Sequence, residues 1–262
     1  MIWKWWCLLW CSLALVVGAQ TPLPRAHSHN DYEHTRPLQD ALAEGFCSVE
    51  ADIWPVGGSL LVAHHRKDLQ PERTLEALYL APLKQRIQSH GGQVYSKPVE
   101  FSLLIDVKEK PEETYAILGP LLERYRDILT RFTDTNSVRG AVTVVLSGAR
   151  PLDQVRSSPV RWCAIDGRLA DLESNPSPFL VYWVSESWRP TFSAFEEGRL
   201  TEADQVRLHQ VVKKAHEQGR RIRFWGLQDQ EYVWRALYSA GVDLINTDRL
   251  ADLRRFLETQ PR

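Results

Sequence analysis

Eight short, β-rich apolar runs recur along this chain, with helical patterns between them. The runs cover 25–29, 48–54, 101–107, 141–147, 162–166, 179–184, 221–225 and 243–247. Phe101-Ser102-Leu103-Leu104-Ile105 and Ala141-Val142-Thr143-Val144-Val145-Leu146 are almost uninterrupted apolar stretches, the pattern of strands buried on both faces. Apolar residues at three- and four-residue spacing predict helices over 37–44, 112–123, 202–218, 231–240 and 250–258. Pro37 suits a first helical turn, and Gly219 and Gly241 are stop signals. Strands alternating with helices call for a parallel sheet, and eight of them predict an α/β (β/α)8 TIM barrel as a single domain over 20–262. A doubly wound open α/β sheet is the alternative, but the first strand lacks the glycine-rich turn that such a fold uses for a nucleotide. The 60–63 run after Gly57-Gly58 reads as a hairpin return from the second strand. No element is predicted over 124–140.

Composition narrows the class. With 262 residues, 44% hydrophobic and 25% charged, the chain is neither disordered nor a polytopic membrane protein. Its 32 basic and 33 acidic side chains leave a net charge of -1, so nothing in the charge balance calls for nucleic acid. Residues 1–19 stand apart. One Lys precedes an acid-free apolar run ending in Val17-Gly18-Ala19, which predicts a signal peptide cleaved before Gln20, or else a membrane anchor through 3–19. The expected location is therefore exported, periplasmic or secreted. Only Cys47 and Cys163 remain in the mature chain. Export would permit them to pair, but they open different strands and read as two buried lone thiols.

The chemistry concentrates early. Five of the eight histidines fall between residues 27 and 65: His27, His29, His34, His64 and His65. Between them lies Glu50-Ala51-Asp52. Residues i and i+2 of a strand share a face, so two carboxylates point together in an otherwise apolar run. They need a cation to stay charged, and a hard divalent metal, Mg or Ca, supplies one. Asp106 ends a second buried strand, where barrels place catalytic groups, with Lys108 on the same face. Glu50, Asp52 and Asp106 are thus the predicted metal ligands. That leaves the histidines for proton transfer, with His27 and His29 after the first strand and His64 after the hairpin return; a pair on opposite sides of a metal suits phosphodiester cleavage, with Lys108 and the metal stabilising phosphoryl charge. Hydrolysis of a sugar by two carboxylates is disfavoured, because two acids on one strand face stand too close to flank the ring.

These residues resemble a known superfamily. Arg25-Ala26-His27, Pro37-Leu38, Ala41-Leu42, Gly45, Glu50-Ala51-Asp52 and Leu61-Val62-Ala63-His64 are similar to glycerophosphodiester phosphodiesterases. They are similar too to the phosphatidylinositol-specific phospholipase C and sphingomyelinase D barrels. Asp106-Val107-Lys108, Phe224-Trp225-Gly226 and Gly241-Val242-Asp243 with Asn246-Thr247-Asp248 extend the likeness. The opening His27-Ser28-His29-Asn30-Asp31-Tyr32 most resembles the altered-inheritance-of-mitochondria-type branch. The resemblance implies a metal-dependent phosphoric diester hydrolase acting on a glycerophosphodiester or phospholipid-type substrate. Its partner would be a small-molecule or lipid phosphodiester, with peripheral membrane contact an option. It implies His27 and His64 as the acid/base pair, Lys108 as a phosphate contact and Trp225 as a pocket wall. Two departures matter. Ser28 stands where the superfamily's phosphate-contacting Arg is expected, and His65 replaces a common Asp. His29-Asn30-Asp31-Tyr32 also resembles the His-Asn-x-Tyr of eukaryotic phospholipases C, which makes His29 a rival first histidine. Asn30 fits the spacing of a sphingomyelinase D site residue. The departures leave a second reading open: an inactive barrel that binds phospholipid headgroups or a protein partner.

Overall fold

The computed structural model describes residues 20–261. The signal or anchor expected over 1–19 lies outside them. In chain order the strands are β1 (Leu23–Ser28), β2 (Phe46–Val56), β3 (Ser59–Val62), β4 (Phe101–Val107), β5 (Arg131–Phe132), β6 (Ser137–Val138), β7 (Val142–Gly148), β8 (Ala164–Gly167), β9 (Val181–Ser187), β10 (Arg221–Trp225) and β11 (Ile245–Thr247). The helices are α1 (Gln39–Ala43), α2 (Ala81–Ser89), α3 (Pro111–Arg124), α4 (Leu152–Ser157), α5 (Asp171–Ser174), α6 (Trp188–Thr191), α7 (Glu202–Glu217), α8 (Glu231–Ala240) and α9 (Leu250–Glu258).

Eight parallel strands run in the order β10-β9-β8-β7-β4-β2-β1-β11. The two ends of this sheet meet. Arg223 bridges Leu244 in parallel, and the Asp243 and Leu244 N–H groups donate to the Ile222 carbonyl. The sheet is therefore a nearly closed TIM-type barrel, and the open-sheet alternative is excluded. β3 returns antiparallel along the end of β2, as the 60–63 run predicted.

Strand alternation builds two apolar regions. Outward residues such as Leu103, Ile105, Val144, Leu146, Ile222 and Ile245 pack under the helices with Leu118, Leu208, Leu237 and Leu253. Inside the barrel Leu104, Val145, Trp183 and Leu244 form a separate buried plug. Polar inward positions lie beyond that plug, toward the C-terminal ends of the strands. The outer helices start and stop on local chemistry: Thr201 caps α7 by accepting from the Asp204 N–H at 3.1 Å, and Gly241 ends α8 at φ +84.

Several boundaries move. The runs expected over 162–166 and 179–184 enter the sheet late, at Ala164 and Val181; in the second, the Leu180 and Val181 N–H groups first donate to the Ser177 carbonyl. The last strand begins at Ile245 rather than 243, since the Asp243 carboxylate is bound by the Ile222 N–H and His216. The 124–140 stretch holds a two-strand ladder, β5 with β6, too short for periodicity to reveal. Cys47 and Cys163 are both buried and free, their thiols pushed up to about 12 by burial. Among the described residues no helix is long and apolar enough to cross a membrane.

Candidate active site

The C-terminal ends of β1, β2 and β4 bring the predicted acids together. Each of Glu50, Asp52 and Asp106 offers one carboxylate oxygen within 4.8 Å of the others. Register explains this: Asp52 sits opposite Asp106 in the β2–β4 ladder, and Glu50 lies one inward position below. Gly148 lets β7 close against the group. A Cβ there would meet the Val107 carbonyl at 2.4 Å and Asp106 Oδ1 at 2.5 Å, at a φ of +69.

The three acids differ. Burial would raise the Glu50 carboxyl, yet the Arg223 guanidinium holds it well below the usual range. Asp52 is raised by burial and by the Glu50 charge, with Lys108 and Tyr32 opposing. Asp106 is pushed up to about 6 by burial, against the pull of Lys108. Lys108 Nζ lies 2.7 Å from Asp52 Oδ2 and 3.4 Å from Asp106 Oδ1. Three carboxylates thus face two cations, Lys108 and Arg223. Asp52 Oδ1 is buried and has no hydrogen-bond partner. An orphaned carboxylate oxygen within an all-oxygen set and an excess of one negative charge fit a hard divalent cation.

The histidines divide. His27 is fully buried. Arg223 Nη1 donates to its Nε2 at 2.9 Å, which leaves Nδ1 to donate to Ser48 Oγ at 2.7 Å. In that arrangement Nε2 is an acceptor, so the Glu50 oxygen 3.1 Å away is satisfied by Arg223 rather than by His27. Burial, reinforced by Arg223, pushes the His27 imidazole down to about 4. His29 sits two residues on, at the barrel mouth, its side chain 35% exposed and its Nδ1 2.8 Å from Asp248 Oδ1. Burial lowers its pKa, but the bond to Asp248 and the Glu50 charge more than offset that and raise it. His64 follows β3. Its side chain is 42% exposed, with Nδ1 3.2 Å from Asp52 Oδ2.

The loop after β1 completes the mouth. The buried Asp31 carboxylate accepts from Ser28 Oγ at 2.8 Å, the Leu38 N–H at 2.6 Å and Tyr79 OH at 3.0 Å. That anchor presents Asn30 and Tyr32. The Tyr32 hydroxyl lies 2.7 Å from Asp52 Oδ2, 2.8 Å from Asn30 Oδ1 and 3.2 Å from His64 Nδ1. Trp225 ends β10 and borders a cavity that also touches His29 and Asp248. Every predicted site residue therefore lies at this end of the barrel. Sequence reading missed Arg223, Tyr32, Asp31 and Asp248 as members. Arg223 shares the inward face of Trp225 by two-residue spacing, the one signal that could have marked it.

An oxygen-ligand cluster and two solvent-reaching histidines thus meet at the C-terminal mouth of a TIM-type barrel. Solved structures share the fold. A calcium-dependent phosphoinositol-specific phospholipase C from Pseudomonas sp. superposes with a TM-score of 0.59 at 15% identity, over 88% of this chain and 91% of that one. A glycerophosphodiester phosphodiesterase from Agrobacterium tumefaciens gives 0.56 at 14%, over 90% and 100%. A phosphodiesterase from Oleispira antarctica, solved with its product sn-glycerol-3-phosphate, gives 0.54 at 16%, over 90% and 98%.

The chain belongs to the AIM6-like phosphodiesterase domain family, whose model matches residues 19–163. Altered inheritance of mitochondria protein 6 from Eremothecium gossypii is 33% identical, over 89% of this chain and 69% of its own. The homologue from Arthroderma benhamiae is 31% identical, over 87% and 81%.

Proposed function

We propose that this chain is a divalent-cation-dependent phosphoric diester hydrolase for a glycerophosphodiester or phospholipid-type substrate. The observation that carries the reading is the Glu50–Asp52–Asp106 group, with its unpartnered Asp52 Oδ1, beside two solvent-reaching histidines. Bound there, Mg or Ca would polarise the phosphoryl oxygens and offset the charge they gain. The Lys108 ammonium would donate to one of those oxygens. His29 and His64 carry the protons, and His27 accepts from Arg223, which in turn holds Glu50. What supports His29 over His27 is access: His27 is sealed and neutral, while His29 reaches the mouth with Asp248 behind it. One histidine accepts the proton of water or of a neighbouring substrate hydroxyl as that oxygen bonds to phosphorus. The other gives a proton to the alcohol oxygen as its P–O bond breaks. The Pseudomonas enzyme's calcium dependence and the Oleispira enzyme's glycerol phosphate product agree with this choice of cofactor and substrate.

Phosphorus NMR of glycerophosphodiesters and phospholipids incubated with the protein and Ca or Mg tests it. The expected result is a phosphomonoester or cyclic phosphate that chelation abolishes, with His29→Ala and His64→Ala each slower by about a hundredfold or more. Full metal-dependent turnover in both variants would overturn the assignment. A barrel that binds headgroups without turnover is the second reading, favoured by Lys108 already occupying Asp52. Calorimetric binding with no product under any divalent ion would support it. We also propose export through residues 1–19. The mature chain should then begin at Gln20, and a full-length chain in the soluble cell extract would overturn that.

A further inference from the structure

Asp52 Oδ2 has three close polar neighbours: Lys108 Nζ at 2.7 Å, the Tyr32 hydroxyl at 2.7 Å and His64 Nδ1 at 3.2 Å. The Tyr32 hydroxyl also stands 3.2 Å from His64 Nδ1 and 2.8 Å from Asn30 Oδ1. Tyr32 is buried, and burial together with the Asp52 charge holds its phenol protonated. The hydroxyl therefore brings a single proton to this group.

That proton has two nearer acceptors, Asp52 Oδ2 and Asn30 Oδ1, so none is left for His64. A bare lone pair on His64 Nδ1 would face the Asp52 and Tyr32 oxygens with nothing to accept. A proton on Nδ1 meets two acceptors instead, each at 3.2 Å. The bonding of one ring nitrogen decides the state of the other, so neutral His64 carries its proton on Nδ1 and its lone pair on Nε2. Among the described residues Nε2 has no hydrogen-bond partner, and the side chain is 42% exposed.

We infer that Tyr32 is a positioning residue: with Asp52 Oδ2 its hydroxyl forms a two-oxygen seat that locks His64 in the Nδ1–H tautomer and assigns its proton transfer to Nε2. The inference rests on the phosphodiesterase reading and deepens it. The seat is rigid because Asp31 anchors the loop and Arg73 bonds the Tyr32 carbonyl. Without the hydroxyl, His64 keeps only an oxygen already shared with Lys108, in one long contact on a partly exposed ring.

Proton–nitrogen NMR correlation spectra of the full chain, with labelled histidine and at alkaline pH where imidazoles are neutral, report which ring nitrogen is protonated. His216 is an internal reference of opposite sense, since its Nε2 lies 2.8 Å from Asp243 Oδ2. The His64 signal, identified by its loss in His64→Gln, should show Nδ1 protonated and Nε2 bare. Tyr32→Phe keeps the ring and should shift that signal toward the Nε2–H form that an unrestrained imidazole prefers. At saturating Ca it should also lower kcat about tenfold with KM unchanged. A wild-type His64 protonated on Nε2, or a Tyr32→Phe variant with the wild-type tautomer, would overturn the inference. Turnover separates this result from the underlying reading. The expected signals without product from any diester would sink the hydrolase assignment and leave the seat standing. Turnover lost in His64→Gln, with the wild-type ring protonated on Nε2, would do the reverse.

Discussion

Arg223 Nη1 stands 2.9 Å from Glu50 Oε2 inside the barrel, the two side chains exposed by only 5% and 8%. Neither charge reaches bulk water, so each depends on the other. Removing one partner of a buried pair leaves the second uncompensated, which costs about 3–5 kcal/mol. Arg223→Met should therefore lower unfolding free energy by about that amount. Glu50→Gln in the same chain should recover part of the loss, because the stranded charge goes with it. Urea unfolding at unchanged m value reads both. A Met variant as stable as wild type would mean that His27, 3.1 Å from Glu50 Oε2, compensates it instead.

The His29–Asp248 pair makes a pH signature. Its imidazole pKa is raised above the ordinary 6.5. The protonated pair therefore stabilises the fold fully below 6.5, and that contribution is lost as pH rises through the folded value. Asp248→Asn should lower the His29 pKa, followed by NMR of the imidazole protons, and move the corresponding limb of the rate profile toward acid. The stability gap between wild type and variant should close as pH rises past the wild-type value. A gap constant across that window would show that Asp248 acts only through packing.

The barrel was legible because its strands are apolar runs of the right length, and buried parallel strands leave that mark directly. The acids of the site were legible for a related reason: Glu50, Asp52 and Asp106 interrupt such runs with charge at one face. What stayed hidden depends on contacts across the barrel. His27 lies near the end of β1 and His29 one residue beyond it, so their spacing alone would put them on one face. Only the depth of the barrel, and Arg223 arriving from β10, makes one a sealed neutral imidazole and the other a mouth residue. The anchoring role of Asp31 leaves no local mark, since its three donors come from positions 28, 38 and 79. Phe179 and Leu180 read as strand because their side chains are apolar, while their backbone is committed to a turn at Ser177.

Asp31 predicts a coupling of loop order to activity. Asp31→Ala would leave the Leu38 N–H and Tyr79 hydroxyl unpartnered, at roughly 1–3 kcal/mol for each buried group. It would also free the segment that holds Asn30 and Tyr32 beside Asp52. Stability and kcat/KM should fall together, and Asp31→Asn, which keeps an acceptor, should recover part of both. A variant that loses stability but retains full kcat/KM would separate the anchor from the site.

Asp52 offers the most direct test of the cation. Its Oδ1 is buried and unpartnered while Oδ2 already serves Tyr32 and Lys108, so the free oxygen is the one available to a metal. A ligand that binds only the folded state stabilises it, by about 2.7 kcal/mol at a free concentration a hundredfold above Kd. Adding Ca or Mg to chelator-treated protein should therefore raise Tm in a concentration-dependent way. Asp52→Asn keeps the shape and one acceptor but removes the charge, so its Tm should respond far less to the same titration. Lys108→Met should act in the opposite direction, since the ammonium that competes for Asp52 and Asp106 is gone. Equal metal-induced shifts in wild type and Asp52→Asn would place any cation elsewhere on the barrel.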